Sequence, residues 1–133
     1  MNRLEGLVLS CSGASGICSV DVSCAAGTVV SLVFGSPGSA PWLRAGTPIA
    51  AAFKESDVLL AGRGRFPWPG ALHARVVRLS PGDVLSRIDL DASGAPVSAL
   101  VPGSRVLALG IEEGTEVDFW VPPHEVVLEE VGE

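Results

Sequence analysis

Apolar and polar residues alternate along much of this chain. The segment ICSVDVSC, residues 17–24, alternates the two kinds of side chain, and LSRIDLDA, residues 85–92, repeats the alternation. A period of two places successive side chains on opposite faces of a β-strand. Turn-forming residues follow both segments, in AAGT and ASGAP, and the short apolar runs TVVSLVF and PVSALV come next. The pattern therefore predicts β-hairpins.

The two halves of the chain are copies of one unit. Shifting the chain by 68 residues against itself aligns the halves without a gap, so that Leu4 falls on Leu72 and Asp21 falls on Asp89. Turn glycines stay in register, since Gly46 falls on Gly114. Such internal symmetry indicates a repeated structural unit. We expect a first unit at residues 1–62, a linker at residues 63–70 and a second unit at residues 71–133.

Each unit is predicted to be a small barrel. About five short strands fit into roughly 60 residues, a density typical of barrels such as the OB-fold. The segment GSRVLALGIEEG is the one place where one or two helical turns are expected. The sequence thus predicts an all-β protein made of two tandem OB-like small β-barrels that are related by the internal repeat.

The composition favours an assembly of several chains. Apolar residues make up 47% of the sequence and charged residues 18%, and the mean hydropathy is +0.43. Excess apolar surface is normally hidden in interfaces, so we expect a homo-oligomer. The chain has no apolar run of about 18 residues and no secretory pattern at its start. We expect a cytoplasmic protein with no membrane partner.

The net charge of −6 disfavours nucleic acid as a partner. An acidic surface repels the phosphate backbone, and four Phe, three Trp and no Tyr provide few platforms for stacking bases. A small anion would need a local site that overcomes this field.

Catalytic and metal-binding motifs are not found in the sequence. The three cysteines (Cys11, Cys18 and Cys24) fit no zinc spacing and are interpreted as small apolar residues. HEVVLEE lacks the second histidine of a zinc-protease motif, and no nucleophile elbow is present. We expect a protein that is not an enzyme and has no metal-ligand cluster.

The segment AAAFKESDVLLAG, residues 50–62, contains the strongest candidate for a binding site. If it is extended, Lys54 and Ser56 project from one face, and Glu55 and Asp57 project from the other. An ammonium, a hydroxyl and nearby backbone N–H groups are suitable donors for a small oxyanion. The alternative is a solvated strand end with Lys54 paired to a carboxylate. One lysine barely balances a dianion, so further donors are expected, for example from a neighbouring subunit.

The pattern NRLEGLV…VDV…GTVVSLV…LRAGTPIAAAFKESDVLL resembles the molybdate-binding Mop, or TOBE, domain of the molbindins. The family's opening strand is matched by Asn2, Leu4, Gly6 and Val8. Its closing stretch is matched by Gly46, Ile49, Ala51, Lys54, Ser56 and Val58. The second copy resembles the same unit more weakly, through Leu72, Val76, Gly114, Val117 and Val126. The family includes proteins with two such units in tandem.

The resemblance implies two OB-like barrels, assembled as a trimer, that hold molybdate or tungstate at subunit interfaces without an organic cofactor. Lys54 would supply charge, Ser56 a hydroxyl or N–H group and Glu55 its backbone, with Asn2 and Arg3 as further donors. The family's Ser-Ala-Arg segment before the asparagine is absent, and Arg3 stands one place later. The expected role is storage or homeostasis of the oxyanion.

A regulatory or assembly module is the alternative function. Similar paired units form the C-terminal parts of molybdate-transport ATPases and of molybdate-responsive repressors. The second copy has Pro122 and His124 where the first has Lys54 and Ser56. This loss of the family's ligands favours weak or no oxyanion binding, with a transporter or regulator on another chain as partner.

Overall fold

The computed structural model describes residues 1–35 and 44–131. These residues form ten β-strands, one short α-helix and two 3₁₀ turns. The strands of the first half are β1 (Asn2–Ala14), β2 (Ile17–Cys24), β3 (Gly27–Phe34), β4 (Pro48–Phe53) and β5 (Leu59–Gly62). Those of the second half are β6 (Leu72–Ser80), β7 (Leu85–Ala92), β8 (Ala95–Pro102), β9 (Glu116–Trp120) and β10 (Val127–Glu130). The helix is α1 (Gly103–Leu109), and the 3₁₀ turns are Glu55–Asp57 and Pro123–Glu125.

The internal repeat extends to the bounds of the individual elements. The predicted offset of 68 residues relates four pairs of elements, namely β2 and β7, β3 and β8, β5 and β10, and the first and second 3₁₀ turns. The register shifts at the same place in both copies, between Val8 and Ser10 and between Val76 and Arg78. The predicted helical segment forms α1. The all-β class and the two OB-like units are confirmed.

Two glycines of the first half occupy positions where the backbone geometry requires this residue type. A Cβ atom on Gly6 would lie 2.2 Å from the carbonyl oxygen of Ser23 on the neighbouring strand, closer than any real contact. Gly46 has a φ of 88°, which favours glycine, and its repeat-related partner Gly114 has a φ of 90°. The tight approach of β1 to β2 and the turns before β4 and β9 therefore depend on glycine.

The two halves exchange their last strands. The first sheet has the order β10-β4-β1-β2-β3, and the second has the order β5-β9-β6-β7-β8. Leu128 of β10 lies opposite Ala51 of β4, and Leu60 of β5 lies opposite Phe119 of β9. The predicted division at residues 62 and 71 follows the repeat in the sequence. The sheets do not follow it, because each takes one strand from the other half.

The hydrophobic core joins the halves. One large cluster of buried side chains includes Leu4 and Phe53 from the first half and Leu72 and Phe119 from the second. A smaller cluster of the first sheet consists of Val8, Cys18, Val20, Val22 and Ile49. Cys18 is fully buried there, as expected of a small apolar residue, whereas Cys11 and Cys24 are partly buried. The sheets are therefore packed against each other through a common core.

Within the described residues, the helical segments are all too short to cross a membrane.

Candidate functional site

The sequence-predicted site residues come from two segments that meet at one end of the first sheet, where β4 ends and β1 begins. β1 runs antiparallel to β4, with Asn2 opposite Phe53 and Arg3 opposite Ala52. Lys54 follows directly on β4 and is therefore adjacent to the start of β1. The strand register brings the two predicted segments together although they are distant in sequence.

The local geometry of Lys54 and Ser56 differs from the expectation. Lys54 is extended, with φ −78° and ψ 154°, but Glu55–Asp57 form a 3₁₀ turn. The prediction that Lys54 and Ser56 share one face of a strand was wrong, because side chains in a 3₁₀ turn are spread over about three directions per turn. The chain turns here because it leaves β4 in the first sheet and must enter the second sheet as β5.

The turn leaves donors for an outside acceptor. Its own hydrogen bonds use the N–H groups of Asp57 and Val58, which donate to the carbonyls of Lys54 and Glu55 at 3.1 and 3.5 Å. The first N–H groups of a helical turn have no acceptor within that turn. Those of Glu55 and Ser56 therefore remain for an acceptor outside it, in line with the predicted backbone role of Glu55.

Lys54 is the only lysine of the sequence. It is exposed, as is Ser56, and Lys54 forms no ion pair with any residue in the described ranges. Pairing of Lys54 to a carboxylate, the alternative to a binding role, is thus not seen there. Its charge remains available to a ligand.

Asn2 positions the start of β1 against the second sheet. Its side chain is buried, and its Nδ2 donates to the carbonyl oxygen of Ser98 at 2.8 Å. The N–H of Ser98 in turn donates to Asn2 Oδ1 at 2.7 Å. Asn2 therefore caps the outer side of β8, an edge strand of the second sheet. To serve as a direct donor to a ligand it would have to release these bonds.

Arg3 is exposed but paired. Its Nη1 lies 2.6 Å from Glu5 Oε1, and its Nε lies 3.7 Å from Glu129 Oε1. Exposed ion pairs of this kind are weak, so a dianion can compete for the guanidinium.

Two carboxylates of the turn would repel a bound anion. Glu55 Oε1 accepts a hydrogen bond from the amino group of Met1 at 2.8 Å, and this contact lowers the pKa of the Glu55 carboxyl. Asp57 Oδ2 is buried and has no hydrogen-bond partner among the described residues. The Glu55 charge is therefore partly neutralised, whereas the Asp57 oxygen is not.

A polar network of the second half supports this end of the first sheet and was missed by sequence reasoning. Arg87 donates through Nε to Asp89 at 3.0 Å and through Nη2 to the hydroxyl of Ser98 at 3.1 Å. That hydroxyl donates to Asp89 at 2.8 Å. Burial raises the pKa of Asp89, but the hydrogen bonds from Ser98 and Arg87 outweigh it and hold the pKa below its ordinary value.

The only signal for this network in the sequence is a departure from the repeat. Arg87 and Ser98 occupy the positions of Ser19 and Val30 in the first copy. Since Ser98 also holds Asn2, the second half fixes the start of β1 and thereby the geometry beside Lys54.

The repeat-related end of the second sheet, where β9 ends and β6 begins, is apolar. Pro122, Pro123 and His124 replace Lys54-Glu55-Ser56, and Gly70 replaces Asn2. A cavity of about 290 Å³ opens there, with Trp68, Phe119 and Trp120 among its lining residues. The end of the first sheet therefore presents a lysine and polar groups, whereas the repeat-related end of the second sheet presents aromatic and proline side chains.

Comparisons with known proteins agree with this architecture. Residues 69–127 match the family model of the TOBE domain. No curated protein matches the chain. The match lies in the second half, and the first half repeats the elements of the second at a constant offset.

Among solved structures, the chain is similar to the cytoplasmic molybdate-binding protein ModG, in its PEG-grown crystal form with molybdate bound. The TM-score is 0.86 at 21% sequence identity, and the match covers 98% of this chain and 96% of that one. At this identity the likeness establishes the shared fold.

Proposed function

We propose that this protein binds a tetrahedral oxyanion, molybdate or tungstate, and that it stores or buffers the ion in the cytoplasm without catalysing a reaction. The observation that carries the proposal is the meeting of Lys54 and Ser56 with the start of β1 at one end of the first sheet. Similarity to a molybdate-binding protein over nearly the whole chain supports it.

Each of the predicted site residues at this end of the first sheet has a chemical role in the proposal. Lys54 supplies a positive charge, and Ser56 supplies its hydroxyl. The backbone N–H groups of Glu55 and Ser56 complete a set of donors, since charge-assisted hydrogen bonds must replace the water of a desolvated dianion. Arg3 becomes a second cation once the dianion displaces Glu5. Asn2 holds the strand that carries Arg3.

A homo-oligomer, with a trimer favoured, would complete the site. Six of the large exposed apolar side chains among the described residues form repeat-related pairs, which supports the same kind of packing in both halves. The pairs are Leu9 with Val77, Ile17 with Leu85, and Leu59 with Val127. A neighbouring subunit would then supply donors that a single Lys54 cannot. Light scattering should give three times the chain mass of 13.6 kDa; a monomer that binds molybdate tightly would contradict this assembly.

Titration calorimetry with molybdate, tungstate and sulfate tests the binding. We expect heat from molybdate or tungstate. Lys54→Ala should weaken the affinity by about tenfold or more, because a charge-assisted hydrogen bond is lost. Arg75→Ala is the matched control: it removes one charge from an exposed position on the second sheet and should change little. Absence of heat with all three ions, or equal loss in both variants, would refute the proposal.

Chemical labelling gives an independent test, because Lys54 is the only lysine. Molybdate should slow acylation of its amine by acetic anhydride, as measured by mass spectrometry of the peptide that contains residue 54. Unchanged acylation at a saturating molybdate concentration would show that the ion binds elsewhere.

The apolar end of the second sheet favours a second candidate, a regulatory or assembly module. In that case the second half meets a molybdate-transport ATPase or a repressor on another chain. Recovery of such a protein by the immobilised chain, together with no heat from any oxyanion, would support this candidate over storage.

A further inference from the structure

A groove runs between the linker and helix α1 on the second half. It borders the first 3₁₀ turn at Ser56, and its other lining residues include Arg65, Phe66, Trp68, Val101 and Arg105. We call it the linker groove. Its volume of about 390 Å³ is within the range of roughly 300–1,000 Å³ that is usual for small-molecule sites.

Two arginines give the linker groove a positive character. Its lining contains no Asp or Glu. Within residues 1–35 and 44–131, Arg65 and Arg105 form no ion pair, whereas Arg63 on the same linker lies 3.0 Å from Glu116. The chain has 15 acidic and only 9 basic residues, so two uncompensated arginines around one groove stand out from the acidic surface. Guanidinium groups bind phosphate and carboxylate oxygens in a bidentate manner.

The walls of the groove suit a flat apolar group. The ring centroids of Phe66 and Trp68 are 5.8 Å apart, and Trp68 contacts Trp120 edge-on at 5.0 Å. Trp68 is 42% exposed, so part of its indole is open to a ligand. Val101 is buried and contributes an apolar floor.

We propose that the linker groove binds a small organic phosphate monoester. Its phosphate meets Arg65 and Arg105, whose two charges balance those of the dianion, and its flat apolar body packs against Phe66 and Trp68. This inference does not depend on the oxyanion site, although Ser56 borders both.

The internal repeat shows that this chemistry belongs to the second half. The corresponding hollow of the first half is lined by Ile17, Leu32, Val33, Phe34 and His124. His124 there occupies the place of Ser56. No arginine lines that hollow among the described residues. It therefore provides an internal comparison, an apolar hollow of the same origin without the two guanidinium groups.

The test uses the full chain and three probes. Phenyl phosphate carries both the dianion and the ring, inorganic phosphate carries only the charge, and phenol carries only the ring. We expect phenyl phosphate to quench tryptophan emission and to bind about tenfold or more tightly than either comparator, since both halves of the ligand contribute. Trp68→Phe should remove most of the quenching. Equal affinity for phenyl phosphate and inorganic phosphate would overturn the proposal.

Substitution of the arginines locates the binding. The double variant Arg65→Gln with Arg105→Gln should weaken phenyl phosphate binding by about tenfold or more, through the loss of two charge-assisted contacts. Arg63→Gln, on the same linker but outside the groove, should leave the affinity unchanged. Lys54→Ala should also leave it unchanged, which separates this site from the oxyanion site. If the double variant binds as the wild type does, the proposal is wrong.

Discussion

At the scale of single residues, Asn2 links the two halves through its side-chain amide. It pairs with both backbone groups of Ser98 on an edge strand, at 2.8 and 2.7 Å. Asn2→Ala leaves those partly buried groups without partners and should lower the free energy of unfolding by about 1–3 kcal/mol. Urea denaturation followed by circular dichroism measures the change. Ser10→Ala, which removes an exposed contact to Asp21, is the control and should change stability by less than about 0.5 kcal/mol. Similar small losses in both variants would contradict the role of Asn2.

The lowered pKa of Asp89 leads us to expect that the free energy of unfolding depends on pH. Its folded-state pKa lies below the ordinary value of 3.8, because hydrogen bonds from Ser98 and Arg87 outweigh the effect of burial. A carboxyl group whose pKa is lowered in the folded state stabilises the protein at pH values above its ordinary pKa. This stabilisation is lost as the pH falls through the folded-state pKa. Urea denaturation should therefore show wild type more stable than Asp89→Asn at pH 7, with the difference shrinking below pH 3.8. A difference that stays constant with pH would mean that the carboxylate charge is not the cause.

At the scale of elements, the exchange of last strands makes a reciprocal prediction. Leu128 and Leu60 are repeat-related, and both pack partly buried against the common core. Leu128→Asp should increase amide hydrogen exchange in β4 of the first half, its pairing partner. Leu60→Asp should increase it in β9 of the second half. Each substitution thus acts mainly on the half that does not contain it.

The two variants are controls for each other. They change the same residue type at equivalent positions, and mass spectrometry of peptides after exchange reads both strands at once. If each variant instead loosens the strand of its own half, the strands pair within their own repeat and the exchanged topology is wrong.

The strands themselves were predictable, but their pairing was not. Alternation in residues 17–24 and 85–92 predicted β2 and β7, and the constant offset predicted that the elements recur in the same order in both halves. β5 and β10 have similar apolar patterns, so either strand satisfies either sheet, and the sequence does not choose between them. The turn at Glu55–Asp57 was missed for the same reason, since the need for a turn arises only when the chain crosses to the other sheet.

For the candidate site, the strand register brings the predicted residues together, whereas the local geometry of Lys54 and Ser56 differs from the prediction. Lys54 was chosen from its spacing to Ser56 and the start of β1 from a family motif, and the antiparallel register brings them together. Arg87 and Ser98 carry no motif, because their position depends on how the second half packs against the first turn. Such contacts between repeats are a tertiary property and have no local sequence pattern.

At the scale of the whole molecule, the halves are mutually dependent. The common core contains residues of both, and hydrogen bonds cross between them at Asn2–Ser98 and at Ser31, whose hydroxyl donates to the carbonyl of Val126 at 2.7 Å. Cooperative unfolding in a single transition is therefore expected. The unit that repeats in the sequence therefore differs from the set of strands that forms each sheet.

Fragments distinguish the sequence repeat from the folding unit. Residues 71–133 correspond to the repeat but lack β5, so β9 would lose a neighbour and present an unpaired edge. Residues 55–126 contain all five strands of the second sheet and leave out β10, which belongs to the first. We expect the fragment 55–126 to show more strand signal in circular dichroism and slower amide exchange in β9 than the fragment 71–133. Both should be less stable than the full chain, because each exposes part of the common core to water. Equal or greater protection of β9 in the fragment 71–133 would show that the second half folds without the strand it receives.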